Sequence, residues 1–189
     1  MNDKLKEEIR KTLGILKNGG VILYPTDTIW GLGCDATNPE AVKRIYDIKK
    51  RADNKSMLVL LDDAGKIASY ADVPDIALDL IEVADKPTTI IYPGAKRLAP
   101  NLIAEDGTIG IRITREEFTR SLIFRYKPIV STSANISGEP SPHFFGEISE
   151  EIKNAVDYIV DYRRNDHNPA APSSIIKLGM GGEIQIIRK

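Results

Sequence analysis

The stretch Asn38–Leu61, NPEAVKRIYDIKKRADNKSMLVLL, decides the fold class because it reads as a helix feeding a strand. Asn38 suits an N-cap, Pro39 the first helical turn, and Glu40 the positive end of the helix dipole. Val42, Ile45 and Ile48 recur on one helical face, and Lys49 and Lys50 close its negative end. SMLVLL, Ser56–Leu61, follows as an apolar strand. A helix running into a buried strand is the working unit of an α/β layer. Lys49, Lys50, Arg51 and Lys55 crowd the junction. They fit a solvated helix end in which they pair with Asp47 and Asp53. They equally fit an anion site, with Lys49 and Arg51 pointing the same way, Arg as a planar fork and Lys as a point charge.

Outward from this unit the same alternation continues. LKEEIRKTLGILKNGG places Leu5, Ile9, Leu13 and Leu16 on one helical face, with Gly19 and Gly20 to end it. VILYP reads as a strand closed by Pro25. A helix is expected from about Pro74 to Ala84, strands at TTIIY and TIGIRI, and a helix in TREEFTRSLIFRY, where Thr114 and Glu117 stand at capping-box spacing. PIVSTS, YIVDY, SSIIKL and EIQIIR complete the strands, the last two joined by the turn GMGG. The late strands lie close together in sequence. The expected fold is therefore one α/β domain over residues 1–189, with a mixed parallel/antiparallel sheet and flanking helices.

Composition narrows the function. The 26 basic and 27 acidic residues leave a net charge of −1, so nothing pulls the whole surface toward nucleic acid or an anionic membrane. Any anion site must be a local cluster. The single cysteine, Cys34, cannot form an internal disulfide, and no Cys/His grouping has zinc spacing, so no metal ligand is assigned. The N-terminus MNDKLKEEIRKTL lacks a secretory apolar core, and no apolar run approaches the roughly 20 residues that span a bilayer. The expectation is a cytoplasmic protein without membrane contact.

Four stretches carry chemistry. In YPTDTIWGLGCDA, Thr26 and Thr28 flank Asp27 straight after a strand, where α/β sheets build ligand crevices. Gly31 and Gly33 permit close backbone approach or positive φ. The alternative is a turn with a side-chain cap. No phosphate loop or dinucleotide fingerprint is present. In VSTSANISGEPSP, Ser131, Thr132, Ser133, Ser137 and Asn135 crowd after a strand, able to cradle oxyanions without adding charge, or forming a plain polar turn. A serine nucleophile lacks both an elbow motif and a histidine base. GTIGIRI sets Arg112 inside an apolar strand, where it must pair with a carboxylate of the chain or face a ligand. APSSIIKL places Ser173 at another strand start. Trp30 is read as core or pocket wall, and His167 as a loop residue.

Together PTDTIWGLGCDA, the K-x-R of Lys49 and Arg51, the S-x-N of Ser133 and Asn135, and PSSII resemble the YrdC-like threonylcarbamoyl-AMP synthase family, in the family's order, from about Gly20 to Arg188. The resemblance implies a twisted sheet with a large concave electropositive site, in the short form without a C-terminal extension. It implies that L-threonine, bicarbonate or CO2, and ATP give L-threonylcarbamoyl-AMP and pyrophosphate. Mg2+ would ride on ATP. A tRNA threonylcarbamoyl transferase would then carry the group to the adenosine beside the anticodon, and direct tRNA contact is a further implied partner interaction.

By position, the resemblance assigns Thr28, Arg112, Ser131 and Ser173 to threonine. It assigns Lys49, Arg51, Lys55, Thr108, Ser133, Asn135, His143 and Arg188 to ATP, with Lys49 and Arg51 acting electrostatically on the reaction. Ala52, Ser56 and Met57 depart from the family's usual residues after K-x-R, and Leu60 replaces a frequent histidine. A paralogous group lacks K-x-R and S-x-N, and both are present here. Two alternatives stand beside this reading. One is an RNA-binding module using the basic run Lys43–Lys55, although the chain has no RNA-recognition aromatic signature. The other is a carbamoyltransferase that forms a carbamoyl-adenylate.

Overall fold

Asn38 caps its helix as the sequence predicts: its side-chain carbonyl accepts from the amides of Glu40 (3.0 Å) and Ala41 (3.2 Å). The helix it opens, α2 (Pro39–Lys49), buries Val42 and Ile45 and stops when Lys50 takes a left-handed conformation (φ 50°). The structure, a computed structural model, describes residues 3–51 and 57–189. Lys55, with Ala52 and Ser56, therefore lies outside the described residues. Among the described residues, four further α-helices are α1 (Asp3–Lys17), α3 (Ile76–Val83), α4 (Glu117–Phe124) and α5 (Glu150–Ala155).

The strands are β1 (Ile22–Tyr24), β2 (Gly31–Gly33), β3 (Leu58–Leu61), β4 (Thr88–Tyr92), β5 (Ile109–Ile113), β6 (Ile129–Ser133), β7 (Tyr158–Ile159), β8 (Ser174–Leu178) and β9 (Ile184–Arg188). They form one sheet in the order β7-β1-β2-β6-β3-β5-β4-β8-β9. The pairs β1/β7, β3/β5 and β4/β8 are parallel and the remaining neighbours antiparallel, so the sheet is mixed as expected.

Alternation along β3 shows how the layers close. Val59 and Leu61 enter a core with Val42, Ile45 and Tyr46 of α2, together with Ile90, Ile111 and Val130. Leu60, between them, enters a second core with Leu5, Ile9 and Leu16 of α1 and Phe118 and Leu122 of α4. Both faces of β3 are thus covered, which is what an uninterrupted apolar run requires.

One local reading needs correction. The α4 cap is Glu116, whose carboxylate accepts from the Thr119 amide at 2.7 Å; Thr114 stands two residues before it and only braces the Glu116 amide at 3.3 Å. A carboxylate can cap at N3 as a hydroxyl does, and Glu116 does so one residue inside the expected box. Gly31 and Gly33 are strand residues without positive φ, so the close-approach alternative is the one that holds. Their value is close approach: a Cβ on Gly33 would lie 2.5 Å from the Tyr24 ring and 2.7 Å from the Val130 carbonyl. Tyr24 is pinned there by donating its hydroxyl to that same carbonyl at 3.0 Å. Gly33→Ala is therefore expected to cost about 1–3 kcal/mol by overpacking. A chain of this length should lose roughly 2–4 °C of Tm per kcal/mol, read by thermal denaturation.

Candidate functional site

A cleft of about 290 Å³ opens over one face of the sheet. Its floor follows the strand register. Gly31 opposes Ser133, Ser131 opposes Leu58, Leu58 opposes Gly110, Gly110 opposes Ile91, and Ile91 opposes Lys177. Glycines and serines in this row leave the room that larger side chains would fill. A Cβ on Gly110 would already lie 3.3 Å from Thr89 and 3.5 Å from Leu58. Trp30 is both things the sequence allowed: buried, on the cleft wall, and packed against Phe145 with ring centroids 4.9 Å apart.

Among the described residues, four cationic side chains line the cleft, Arg51, Arg112, Lys177 and Arg188, and no carboxylate does. Arg112 is the most constrained. It is 3% exposed and its Nη2 lies 3.1 Å from Asp27 Oδ1. That approach is a charge contact off the hydrogen-bonding axis: Asp27 Oδ1, Arg112 Nη2 and Arg112 Nε are all buried without a hydrogen bond. The carboxylate pairing that the sequence allowed is present, and the same arginine lines the cleft. Arg188 donates its Nε to the Ser173 carbonyl at 2.8 Å. Burial, and then the charge of Arg112, pulls the Arg188 guanidinium below its ordinary value. Burial likewise lowers Arg51. The positive charges converge on one space.

The other predicted residues divide into two groups. Thr28, Thr108, Ser131, Ser133 and Ser173 line the cleft with Arg51, Arg112 and Arg188. Thr28 is set by its amide donating to Thr26 Oγ1 at 2.9 Å, and Ser173 by a hydroxyl contact with Thr89 at 2.8 Å. Thr108 donates to Asp106 at 2.6 Å; Lys177, and then Thr108, hold the Asp106 carboxyl down at about 2.

Lys49, Asn135 and His143 are not on that wall. Lys49 is 2% exposed, and its ammonium donates to the carbonyls of Ser133 (2.6 Å) and Asn135 (2.7 Å). Burial pushes it down to about 8, with the charge of Arg51 adding to the effect. Asn135 spends its amide nitrogen on the carbonyls of Ile136 (3.0 Å) and Glu139 (2.7 Å). Asn135 Oδ1 is buried without a partner. His143 is exposed, its Nδ1 3.2 Å from the Ala170 carbonyl. Leu60 is fully buried in the second core. Lys50 faces solvent and pairs with Glu151 at 2.8 Å.

Residues 14–189 match the family model described as "Telomere recombination", which covers Sua5, YciO and YrdC. The chain belongs to the Sua5/YciO/YrdC family. A threonylcarbamoyl-AMP synthase of Pseudoalteromonas translucida is 32% identical over 181 residues, covering 93% of this chain and 95% of that protein. A Methanocaldococcus jannaschii protein is 38% identical over 178 residues, covering 92% of this chain and 83% of its own. Among solved structures, P. abyssi Sua5 complexed with L-threonine superposes with a TM-score of 0.80 at 26% identity, over 90% of this chain. This chain spans about half, 50%, of that Sua5 chain. E. coli YciO superposes at 0.84 and 25% identity, over 97% of this chain and 89% of its own.

Within this Sua5/YciO/YrdC fold, sequence reasoning missed Thr89, Lys177 and Ser141 on the cleft wall. A signal for the first two existed. Thr89 and Ile91, and Ser173, Ile175 and Lys177, share strand parity, so one cleft-facing residue on a strand implies its i±2 neighbours. Ser141 sits in the loop after β6 and gave no such signal. Among the described residues, no cluster of three or more His, Cys, Asp or Glu could hold a metal ion, and no helix is long and apolar enough to cross a membrane.

Proposed function

We propose that the protein joins L-threonine, bicarbonate or CO2, and ATP into L-threonylcarbamoyl-AMP, releasing pyrophosphate. The observation that carries this is Arg112, a buried guanidinium whose Nε and Nη2 lack hydrogen bonds, on the wall of a cleft that no carboxylate lines among the described residues. A buried charge with open donors is costly unless an anion completes it. The threonine carboxylate fits, with Thr28, Ser131 and Ser173 supplying hydroxyls beside it. Asp27 would hold Arg112 in place rather than act as a base.

The neutral amine of threonine attacks the carbon of CO2 and loses a proton to solvent, giving an N-carboxylate. One oxygen of that carboxylate then attacks the α-phosphorus of ATP, and the bond from that phosphorus to the bridging oxygen breaks as pyrophosphate leaves. Two anions must meet, so positioning and charge do the work, and no side chain forms a bond. Arg51, Arg188 and Lys177 face the phosphates, with Thr108 and Ser133 beside them. Mg2+ enters as part of the nucleotide. Lys49 holds Ser133 and Asn135 from behind while adding its charge. Asn135 and His143 are assigned to the nucleotide side of the same loop, and Lys55 rests on the resemblance alone. The whole chain would work as one domain, in the cytoplasm, passing its product to a tRNA threonylcarbamoyl transferase that acts on tRNA.

Three cations of the basic run are engaged within the chain, which weakens the RNA-binding alternative. Arg44 is forked onto Asp157 at 2.7 and 3.0 Å, Lys50 pairs with Glu151, and Lys49 is buried. Pyrophosphate release tests the proposal: it should require ATP, threonine and bicarbonate together. Release that ignores threonine, or that proceeds with carbamoyl phosphate in place of threonine and bicarbonate, would sink it.

A further inference from the structure

We propose that Arg163, in the loop after β7, is a positioning residue for the threonine subsite. It rests on the proposed reading of that subsite. The loop Pro25–Thr28 presents Thr28 to the cleft and Asp27 to Arg112, yet two of its carbonyls point away from the cleft and are held from outside. Thr119 Oγ1 of α4 donates to the Pro25 carbonyl at 2.9 Å. Arg163 Nη1 donates to the Thr26 carbonyl at 3.1 Å. The same guanidinium lies 4.0 Å from Glu116, which is buried and caps α4, and its far side is forked onto Asp166 at 2.9 and 3.3 Å. One planar side chain therefore ties the loop, the α4 cap and its own loop together.

Arg163 reaches this position from a left-handed backbone (φ 59°), which a residue with a Cβ rarely adopts without a compensating contact. The chain beyond it is anchored in turn. Ala170 exchanges contacts with His143, and Pro172 and Ser173 form cleft wall. Among the described residues, Thr26 is otherwise held locally, its hydroxyl donating to the Ile29 carbonyl at 2.8 Å and contacting the Thr28 hydroxyl at 3.0 Å. Without Arg163 the Thr26 carbonyl loses its external donor. Asp27 then drifts from Arg112, and the carboxylate fork loses its aim.

The test is threonine binding by calorimetry alongside steady-state kinetics for wild type, R163A, R163K and D166A. R163A should weaken threonine binding and raise its KM by roughly tenfold, the size of one lost charge-assisted hydrogen bond, with ATP KM changed far less. R163K keeps a donor for one carbonyl and should recover part of the loss. D166A should lose little, because Asp166 braces the outer side. Equal threonine affinity in R163A and wild type refutes the positioning role, as does an equal rise in both KM values without R163K rescue. Wild-type protein that takes up no threonine refutes the reading of the subsite itself, and the role of Arg163 with it.

Discussion

Replacing Arg112 is expected to lower kcat/KM for threonine by about two to four orders of magnitude, the loss of two charge-assisted hydrogen bonds to a carboxylate. The geometry makes this the largest effect in the molecule. Arg112 stands on a central strand, paired in register with Leu60 of β3, and cannot swing to compensate. Lysine is no substitute: a point charge cannot present the planar fork, and its shorter donor set leaves Asp27 off-centre. R112A alone also strands the partly buried Asp27 carboxylate, whose Oδ1 is buried, a change that costs up to about 3–5 kcal/mol where the pair is fully buried. The double variant D27N/R112Q removes both charges and separates the two effects. It should fold, as read by an unchanged cooperative melt, and still show the full loss in threonine-dependent turnover. Turnover near that of the wild type in the double variant would remove Arg112 from the site.

Lys49 gives the second large effect, and through a route its motif does not reveal. Its ammonium touches two carbonyls, so K49M should unhitch the loop carrying Ser133 and Asn135 and remove a positive charge at once. Turnover should fall at least roughly a hundredfold, the size of one preorganised electrostatic contact. The pH dependence separates the clamp from the charge. A neutral amine still has two N–H groups for the two carbonyls, so the clamp survives deprotonation and only the charge is lost. With Lys49 pushed down to about 8, turnover should decline as pH rises above about 8, after an acid limb set by the threonine amine.

Stability should move the other way. The folded state disfavours the ammonium while the unfolded chain holds it to its ordinary 10.5, so below about 8 the fold carries the cost of that charge. Between about 8 and 10.5 the unfolded chain binds the extra proton, and the contribution of this group to stability rises with pH. An alkaline limb in K49M identical to that of the wild type would show that another group titrates.

Much of this was legible in the sequence because the relevant rules are local. The α2 cap, the glycine end of α1 and the alternation along β3 depend on neighbours within a few residues, and each appears where its spacing placed it. The cleft hydroxyls and Arg112 were also legible, since a charge in an apolar strand must find an anion. Lys49 was legible as a candidate but not in its orientation. Its direction is set by the left-handed turn at Lys50 and by the carbonyls of a loop more than eighty residues away. β2 was missed because GLG has no strand signature of its own; it is a strand because β1 and β6 pair with it on either side. Thr89 and Lys177 could be reached only by strand parity from a neighbour already placed in the cleft, and the β4/β8 register that brings the two strands together lies outside any short window.

The measurement that bears most directly on the central claim incubates the protein with ATP, carbon-labelled bicarbonate and tritium-labelled threonine, then resolves the adenylates. The account predicts a single adenylate carrying both labels in equal amounts, formed together with one pyrophosphate, and absent when threonine is omitted. An adenylate without either label, or pyrophosphate release without any labelled adenylate, would contradict it.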